Sequence, residues 1–155
     1  MEGLQLVMAI TDRDKTETVI GIFRECNVFT TDVVLGTGTA PTEILDYLYL
    51  SPNEKAVVLG VVTNAGLTPL LKAFKKKLYI DIPGNGIVAT VPLNSIGGKR
   101  SLEYILDGQT LGSGEKENNM SIKTDHELIF VIANEGYSDM IMDAARAAGA
   151  GGGTR

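Results

Sequence analysis

Two stretches of this chain are apolar on both sides, and each has the length of a strand. Leu4-Gln5-Leu6-Val7-Met8-Ala9-Ile10 and Ala56-Val57-Val58-Leu59-Gly60-Val61-Val62 run almost without a polar break. A strand with one wet face alternates apolar and polar residues, whereas a continuous run belongs inside a sheet covered on both faces. The chain must therefore build a sheet with inner strands and find cover for both of its sides. Its longest apolar run, Ala56 to Thr63, is far short of the ~20 residues that span a bilayer.

Between these runs the hydrophobic period changes. From Asp14 to Cys26, the residues Val19, Ile20, Phe23 and Cys26 share one helical face, with Asp12 or Asp14 available as a cap and Asn27 as a stop. Val33-Val34-Leu35 reads as a second strand, and Lys55 to Thr63 as a third. The connection between them, starting at Gly36 and carrying a short helical stretch from Pro41 to Leu48, is long for a compact domain, and such connections tend to be functional. Thr68-Pro69 is a helix start, the hydroxyl capping an amide and the proline losing no hydrogen bond. That helix runs to about Lys77 and buries Leu67, Leu70, Leu71, Phe74 and Leu78. Lys72, Lys75, Lys76 and Lys77 crowd its last turns, where the helix dipole favours positive charge. After the turn Pro83-Gly84-Asn85-Gly86 comes a fourth strand, Ile87 to Leu93.

The order β-α-β-β-α-β is the split βαβ, ferredoxin-like arrangement: an α+β fold with an antiparallel sheet and both helices on one face. Residues 1–96 form this domain. The other sheet face is then bare, and packing against further copies, usually in a closed ring, is the physical solution. Residues 97–124 are glycine-rich and read as a linker or arm, with a short helix from Ser101 to Leu106. Residues 125–155 repeat the start of the chain at an offset of 122: Ile10 falls on Ile132, Val19 on Ile141, Phe23 on Ala145, Arg24 on Arg146 and Asn27 on Gly149. This predicts a strand from Leu128 to Ala133 and a helix over Met140 to Ala148 capped by Ser138. A complete second copy would need roughly 60 more residues, so the segment reads as a truncated repeat.

Charge and composition narrow the chemistry. A formal charge of −5, from 14 basic and 19 acidic residues, argues against a nucleic-acid surface. The single cysteine, Cys26, cannot close an internal disulfide, and the N-terminus lacks a signal-peptide pattern, which places the chain in the cytoplasm without direct membrane insertion. With one histidine, His126, no multi-histidine metal site or Ser/His/Asp triad suggests itself, and no catalytic residue is assigned. Cys26 sits on an apolar helix face and reads as a core residue. Three glycine turns are better candidates for a small anion: Gly36-Thr37-Gly38-Thr39, Gly84-Asn85-Gly86, and Gly97-Gly98 followed by Lys99 and Arg100. Glycine lets backbone amides turn toward an anion, and threonine adds a hydroxyl donor.

At these residues the chain resembles the P-II family of nitrogen-regulatory signalling proteins. Val34-Leu35-Gly36-Thr37-Gly38 stands where that family has its strand and Gly-x-Gly turn into the T-loop, and Gly84-Asn85-Gly86-Ile87-Val88 where it has the B-loop. The resemblance covers Leu4 to about Leu93 and, as the start of a second copy, His126 to Arg155. It implies a homotrimer that binds ATP or ADP between subunits and reports that ligand, or 2-oxoglutarate, to a regulated enzyme or transporter. The ligand residues would be Gly36, Thr37, Gly38, Gly84, Asn85, Gly86, Lys99 and Arg100, and the partner-contacting loop would present Thr39, Pro41, Glu43, Asp46, Tyr47 and Tyr49. The chain departs from the family in having Ala40 in place of a glutamine that helps hold metal and 2-oxoglutarate, and Ile87 in place of the B-loop lysine. It also lacks the Arg-Gly-Ala-Glu-Tyr modification sequence. A small ferredoxin-like enzyme acting on a phosphorylated or acyl substrate, using Arg13, Lys55 or His126, and a purely structural assembly module are the alternatives.

Overall fold

The computed structural model describes residues 3–37, 54–109 and 127–151. Contacts divide the chain into two units, Met1–Glu117 and Asn118–Arg155. The first contains β1 (Leu4–Asp12), a 3-10 turn (Arg13–Lys15), α1 (Thr16–Glu25), β2 (Thr31–Thr37), β3 (Glu54–Thr63), α2 (Asn64–Leu78), β4 (Ile87–Leu93) and α3 (Lys99–Ile105). Its strands lie in the order β2-β3-β1-β4 and are antiparallel throughout. This is the split βαβ sheet that the order of elements predicts, with the two apolar runs as its inner strands.

Strand parity assigns each face. Val7 and Ala9 of β1 lie in the core with Val58 and Val62 of β3, beneath Val19, Ile22 and Phe23 of α1 and Leu70, Phe74 and Leu78 of α2. The rings of Phe23 and Phe74 meet edge to face, 5.4 Å apart at 82°. Gly60 makes room for this pair: a Cβ there would stand 2.7 Å from the Phe23 ring. The alternate residues form the opposite face, where the register sets Met8 between Leu59 and Ala89, and Ile10 between Val57 and Ile87. No helix covers this stripe among the described residues of the first unit. At the edges Ile87 is 63% exposed and Val34 52%.

Two helix starts differ from the sequence expectation. Neither Asp12 nor Asp14 caps α1, because Asp12 is drawn instead into an ion pair with Lys55 on β3. The second helix begins a full turn before Thr68-Pro69: Thr63 is its cap, its hydroxyl accepting from the Gly66 amide at 3.2 Å, and Pro69 sits within the helix. Pro69 is the sixth residue of the helix, past its first turn, so the helix forgoes the hydrogen bond that an amide there would make to the Ala65 carbonyl. The end of α1 agrees with expectation. Asn27 takes a positive φ of 60°, and Val28 N–H reaches back to the Phe23 carbonyl at 2.9 Å.

The segment read as an arm carries α3, which starts at Lys99, and it is tied to the sheet. β3 runs three residues beyond its pairing with β2, which begins at Thr31↔Gly60. Over that overhang the Gln109 carboxamide stands in for a strand: its oxygen accepts from Thr63 N–H at 3.1 Å and its nitrogen donates to the Val61 carbonyl at 2.8 Å. A Cβ on Gly108, at φ +78°, would come within 2.5 Å of the Phe29 ring.

In the second unit, α4 spans Ser138–Ala147. Ser138 is its first residue and does not cap it; Tyr137 holds that position without a side-chain bond. The strand expected at residues 128–133 is not formed, since this stretch has no ladder partner among the described residues and its side chains are exposed. Strand geometry without a neighbouring strand leaves every backbone group unpaired. The short helix expected from Pro41 to Leu48 lies outside the described residues.

Candidate functional site

All four strands being antiparallel, the end of β2, the end of β1, the start of β3 and the start of β4 lie at one end of the sheet. Gly36 pairs with Lys55, Asp12 with the same Lys55, and Ile10 with Ile87. The two glycine turns singled out in the sequence therefore share an end. They do not share an edge, because β2 and β4 are the outer strands. Three strand spacings, about 14 Å, separate them, more than one phosphate can bridge.

The turn before β4 is built by its glycines. Gly84 and Gly86 have φ of +95° and +127°. Gly86 lies so close to β1 that a Cβ would stand 2.8 Å from the Ile10 carbonyl oxygen and 2.9 Å from Thr11 Cγ2, whereas Gly84 has open space around it. Asn85 folds inward, its amide nitrogen donating to the Tyr79 carbonyl at 3.2 Å. Beneath the turn, Thr11 is 1% exposed, and its hydroxyl has no hydrogen-bond partner among the described residues.

Charge at this end comes from residues that the glycine pattern does not reveal. Lys55 binds Asp12, Lys15 approaches Asp12 at 3.7 Å, and Arg13 pairs with Glu54 at 3.1 Å. The hydrogen bond from Lys55, reinforced by the charges of Lys55 and Lys15, holds the Asp12 carboxyl below its ordinary 3.8 against an opposing effect of partial burial. The signal for this cluster was present in the sequence: a lysine at the polar start of an apolar strand, which hairpin-like register sets opposite the aspartate ending β1. Because the folded carboxyl is more acidic than the unfolded one, its contribution to stability is complete above the ordinary value and is lost as pH falls below it. Asp12→Asn is accordingly expected to cost about 0.5–1 kcal/mol at neutral pH, as a partly exposed pair should. Urea unfolding at neutral pH and near pH ~3 checks this, the difference between the two proteins shrinking at the acid pH.

Lys99 and Arg100 do not join this cluster within one copy. They open α3, whose last turn is tied through Gln109, by way of the Ile105 carbonyl at 3.4 Å, to the far end of β3. Lys99 instead approaches Glu103 at 3.9 Å. Gly38, Thr39, Pro41, Glu43, Asp46, Tyr47, Tyr49 and His126 lie outside the described residues. Ile87 is exposed and places no cation beside the Gly84–Gly86 turn.

Cys26 lines a separate pocket of about 290 Å³ with Asn27, Thr63, Gly66 and Gln109. Burial, then the charge of Glu25, push its thiol above the ordinary value, with Lys77 opposing. Among the described residues no group of three or more histidine, cysteine or carboxylate side chains could hold a metal ion, and no helix is long and apolar enough to cross a membrane.

Compared with solved structures, the chain shares its fold with nitrogen-regulatory PII proteins. Arabidopsis thaliana PII bound to citrate superimposes with a TM-score of 0.50 over 65% of this chain and 84% of that one, at 14% identity. The fold is that of the PII proteins. CPII, a nitrogen regulatory PII-like protein from Thiomonas intermedia K12 bound to ADP, AMP and bicarbonate, matches over 59% of this chain and 90% of its own at 14% identity and a TM-score of 0.47. The B. subtilis GlnK–ATP complex matches over 60% and 84% at 17% identity and 0.43. No protein-family description and no curated protein matches the chain. At these identities the PII fold is shared in backbone course and element order, while the side chains at the site are this chain's own.

Proposed function

We propose that this chain is a non-enzymatic, ligand-sensing regulator of the PII kind, acting in nitrogen metabolism. The ligand is an adenine nucleotide, ATP or ADP, held between copies of the chain. One observation carries the reading: the two glycine turns lie at the same end of the sheet but on opposite outer strands. A ring of copies brings the β2 edge of one subunit against the β4 edge of the next, so that Gly36 and Thr37 face Gly84, Asn85 and Gly86 across the joint. A trimer is one such ring, and it also covers the apolar sheet face that no helix protects among the described residues. Amides turned outward at Gly84 and Gly86 suit a phosphate. Lys55 and Arg13 supply positive charge at this end, and Lys99 and Arg100 can join only from a neighbouring copy. The chain leaves the sheet at Thr37 and re-enters it at Glu54 at this same end, so the partner-contacting segment proposed between them would have its base beside the ligand. A regulated enzyme or transporter is the partner. Ala40 supplies no amide for a metal-bound keto acid, which makes nucleotide rather than 2-oxoglutarate the primary signal.

Calorimetry with ATP, ADP and 2-oxoglutarate tests this. Saturable nucleotide binding, one site per chain, is expected; no heat with either nucleotide at millimolar concentration would sink the reading while leaving the fold intact. An enzyme of the same fold is less favoured, because the two carboxylates described at this end, Asp12 and Glu54, are held in ion pairs with Lys55 and Arg13 rather than left to act as a general base.

A further inference from the structure

Thr11 is 1% exposed, and its hydroxyl has no hydrogen-bond partner among the described residues. The other buried threonine, Thr63, uses its hydroxyl to cap α2. Leaving a buried hydroxyl unbonded is costly, and native chains seldom do it without a reason. Burial itself follows from strand parity, since Thr11 continues the series Val7 and Ala9 on the helix-covered face of β1. A valine would fill that place without the cost.

The neighbour of this hydroxyl is the turn before β4. β1 and β4 pair from Leu4↔Leu93 to Ile10↔Ile87, and one more step of that register sets Thr11 opposite Gly86. The ladder ends there because Gly86, at φ +127°, leaves strand geometry. On its α2 side the turn is fastened: the Tyr79 carbonyl accepts from Ile82 N–H at 2.9 Å and from the Asn85 carboxamide at 3.2 Å, while Asn85 N–H donates to the Ile82 carbonyl at 3.2 Å. On its β1 side it rests on the Thr11 methyl, which a Cβ on Gly86 would approach to 2.9 Å. The hydroxyl, carried by the same carbon as that methyl, lies farther from the turn. Staggered positions are about 120° apart, so one step about the Cα–Cβ bond puts Oγ1 where the methyl now stands.

We infer that Thr11 is a positioning residue for the ligand: its hydroxyl rotates to donate to the Asn85 carbonyl when the Gly86 amide is directed at a bound phosphate. This rests on the reading of Gly84-Asn85-Gly86 as the phosphate-holding turn. In a trans peptide the N–H and C=O point opposite ways. Aiming the Gly86 N–H outward at an anion therefore aims the carbonyl of the same peptide, that of Asn85, inward at β1, where a buried acceptor needs a donor. The Thr11 hydroxyl is that donor. The bond missing without ligand is thus gained on binding, and it holds the peptide in the orientation that the phosphate requires.

Calorimetry with ADP and thermal unfolding of the full chain test this on two variants. Thr11→Val removes the orphaned hydroxyl, and it is expected to raise the thermal midpoint of the nucleotide-free protein while weakening ADP binding about tenfold, the loss of one hydrogen bond from the bound state alone. A purely structural side chain would change the midpoint and leave the affinity where it is. Thr11→Ser keeps the hydroxyl and is expected to bind ADP as the wild type does. Unchanged affinity in Thr11→Val, an equal loss of affinity in Thr11→Ser, or a nucleotide-free Thr11→Val midpoint below that of the wild type would overturn the inference with the ligand site intact. No ADP binding by the wild type would instead overturn the reading of the turn, and the inference with it.

Discussion

Phe23→Ala is expected to lower the stability of the first unit by about 3–5 kcal/mol, seen as a large drop in the urea midpoint at an unchanged slope. The ring is fully buried, meets Phe74 edge-on and lies directly over Gly60. The void would lie between the Gly60 backbone of β3 and the Phe74 ring, inside the same buried cluster as Val58 and Val62. The floor offers a check on this explanation. Gly60→Val alone is expected to overpack and cost about 1–3 kcal/mol, yet added to Phe23→Ala it should recover part of the loss, a coupling that a double-mutant cycle measures directly. A loss below about 1 kcal/mol for Phe23→Ala, or strict additivity of the pair, would remove this ring from the centre of the core.

Gly86→Ala is expected to damage both the turn and the proposed ligand site. At φ +127° any side chain is strained by about 1–3 kcal/mol, and this one would also meet the Ile10 carbonyl oxygen. Backbone and β1 must then move apart, which redirects the amides that are proposed to face the phosphate. Loss of one amide bond to a charged group is worth about 1.5–3 kcal/mol, or about tenfold or more in affinity. Gly84→Ala is the control. It carries a positive φ of 95° but open surroundings, so it should show the strain without the displacement. Calorimetric nucleotide affinities and thermal midpoints of the two variants separate the effects; equal behaviour would mean that contact with β1 plays no part.

The sheet and its order were legible because the physics there is local. Leu4–Ile10 and Ala56–Val62 announce inner strands, and the 3.6-residue spacing of Val19, Phe23, Leu70 and Phe74 announces the helices that cover them. Helix starts were less legible because capping is a contest. Asp12 had the right chemistry for a cap but found a stronger partner in Lys55, and Thr63 lay one turn upstream of an equally plausible Thr68. At the candidate site, the glycines were visible from sequence alone, whereas the ion pairs joining Asp12 to Lys55 and Arg13 to Glu54 span more than 40 positions and depend on strand register. Lys99 and Arg100 were grouped with the phosphate turn by their nearness in sequence to β4. A strand of seven residues instead carries the chain about 20 Å away before they appear. The strand expected at residues 128–133 has the composition of an inner strand, but composition cannot supply the neighbour that a ladder requires.

The Gln109 clamp bears on where this protein can be cut. By occupying Val61 and Thr63 with a side chain rather than a strand, it closes the β3 overhang at a single residue. Among the described residues, the backbone groups of that overhang are met by position 109. Shears placed just after that residue would leave the overhang closed; placed just before it, they would free a raw edge on which stray strands could grow.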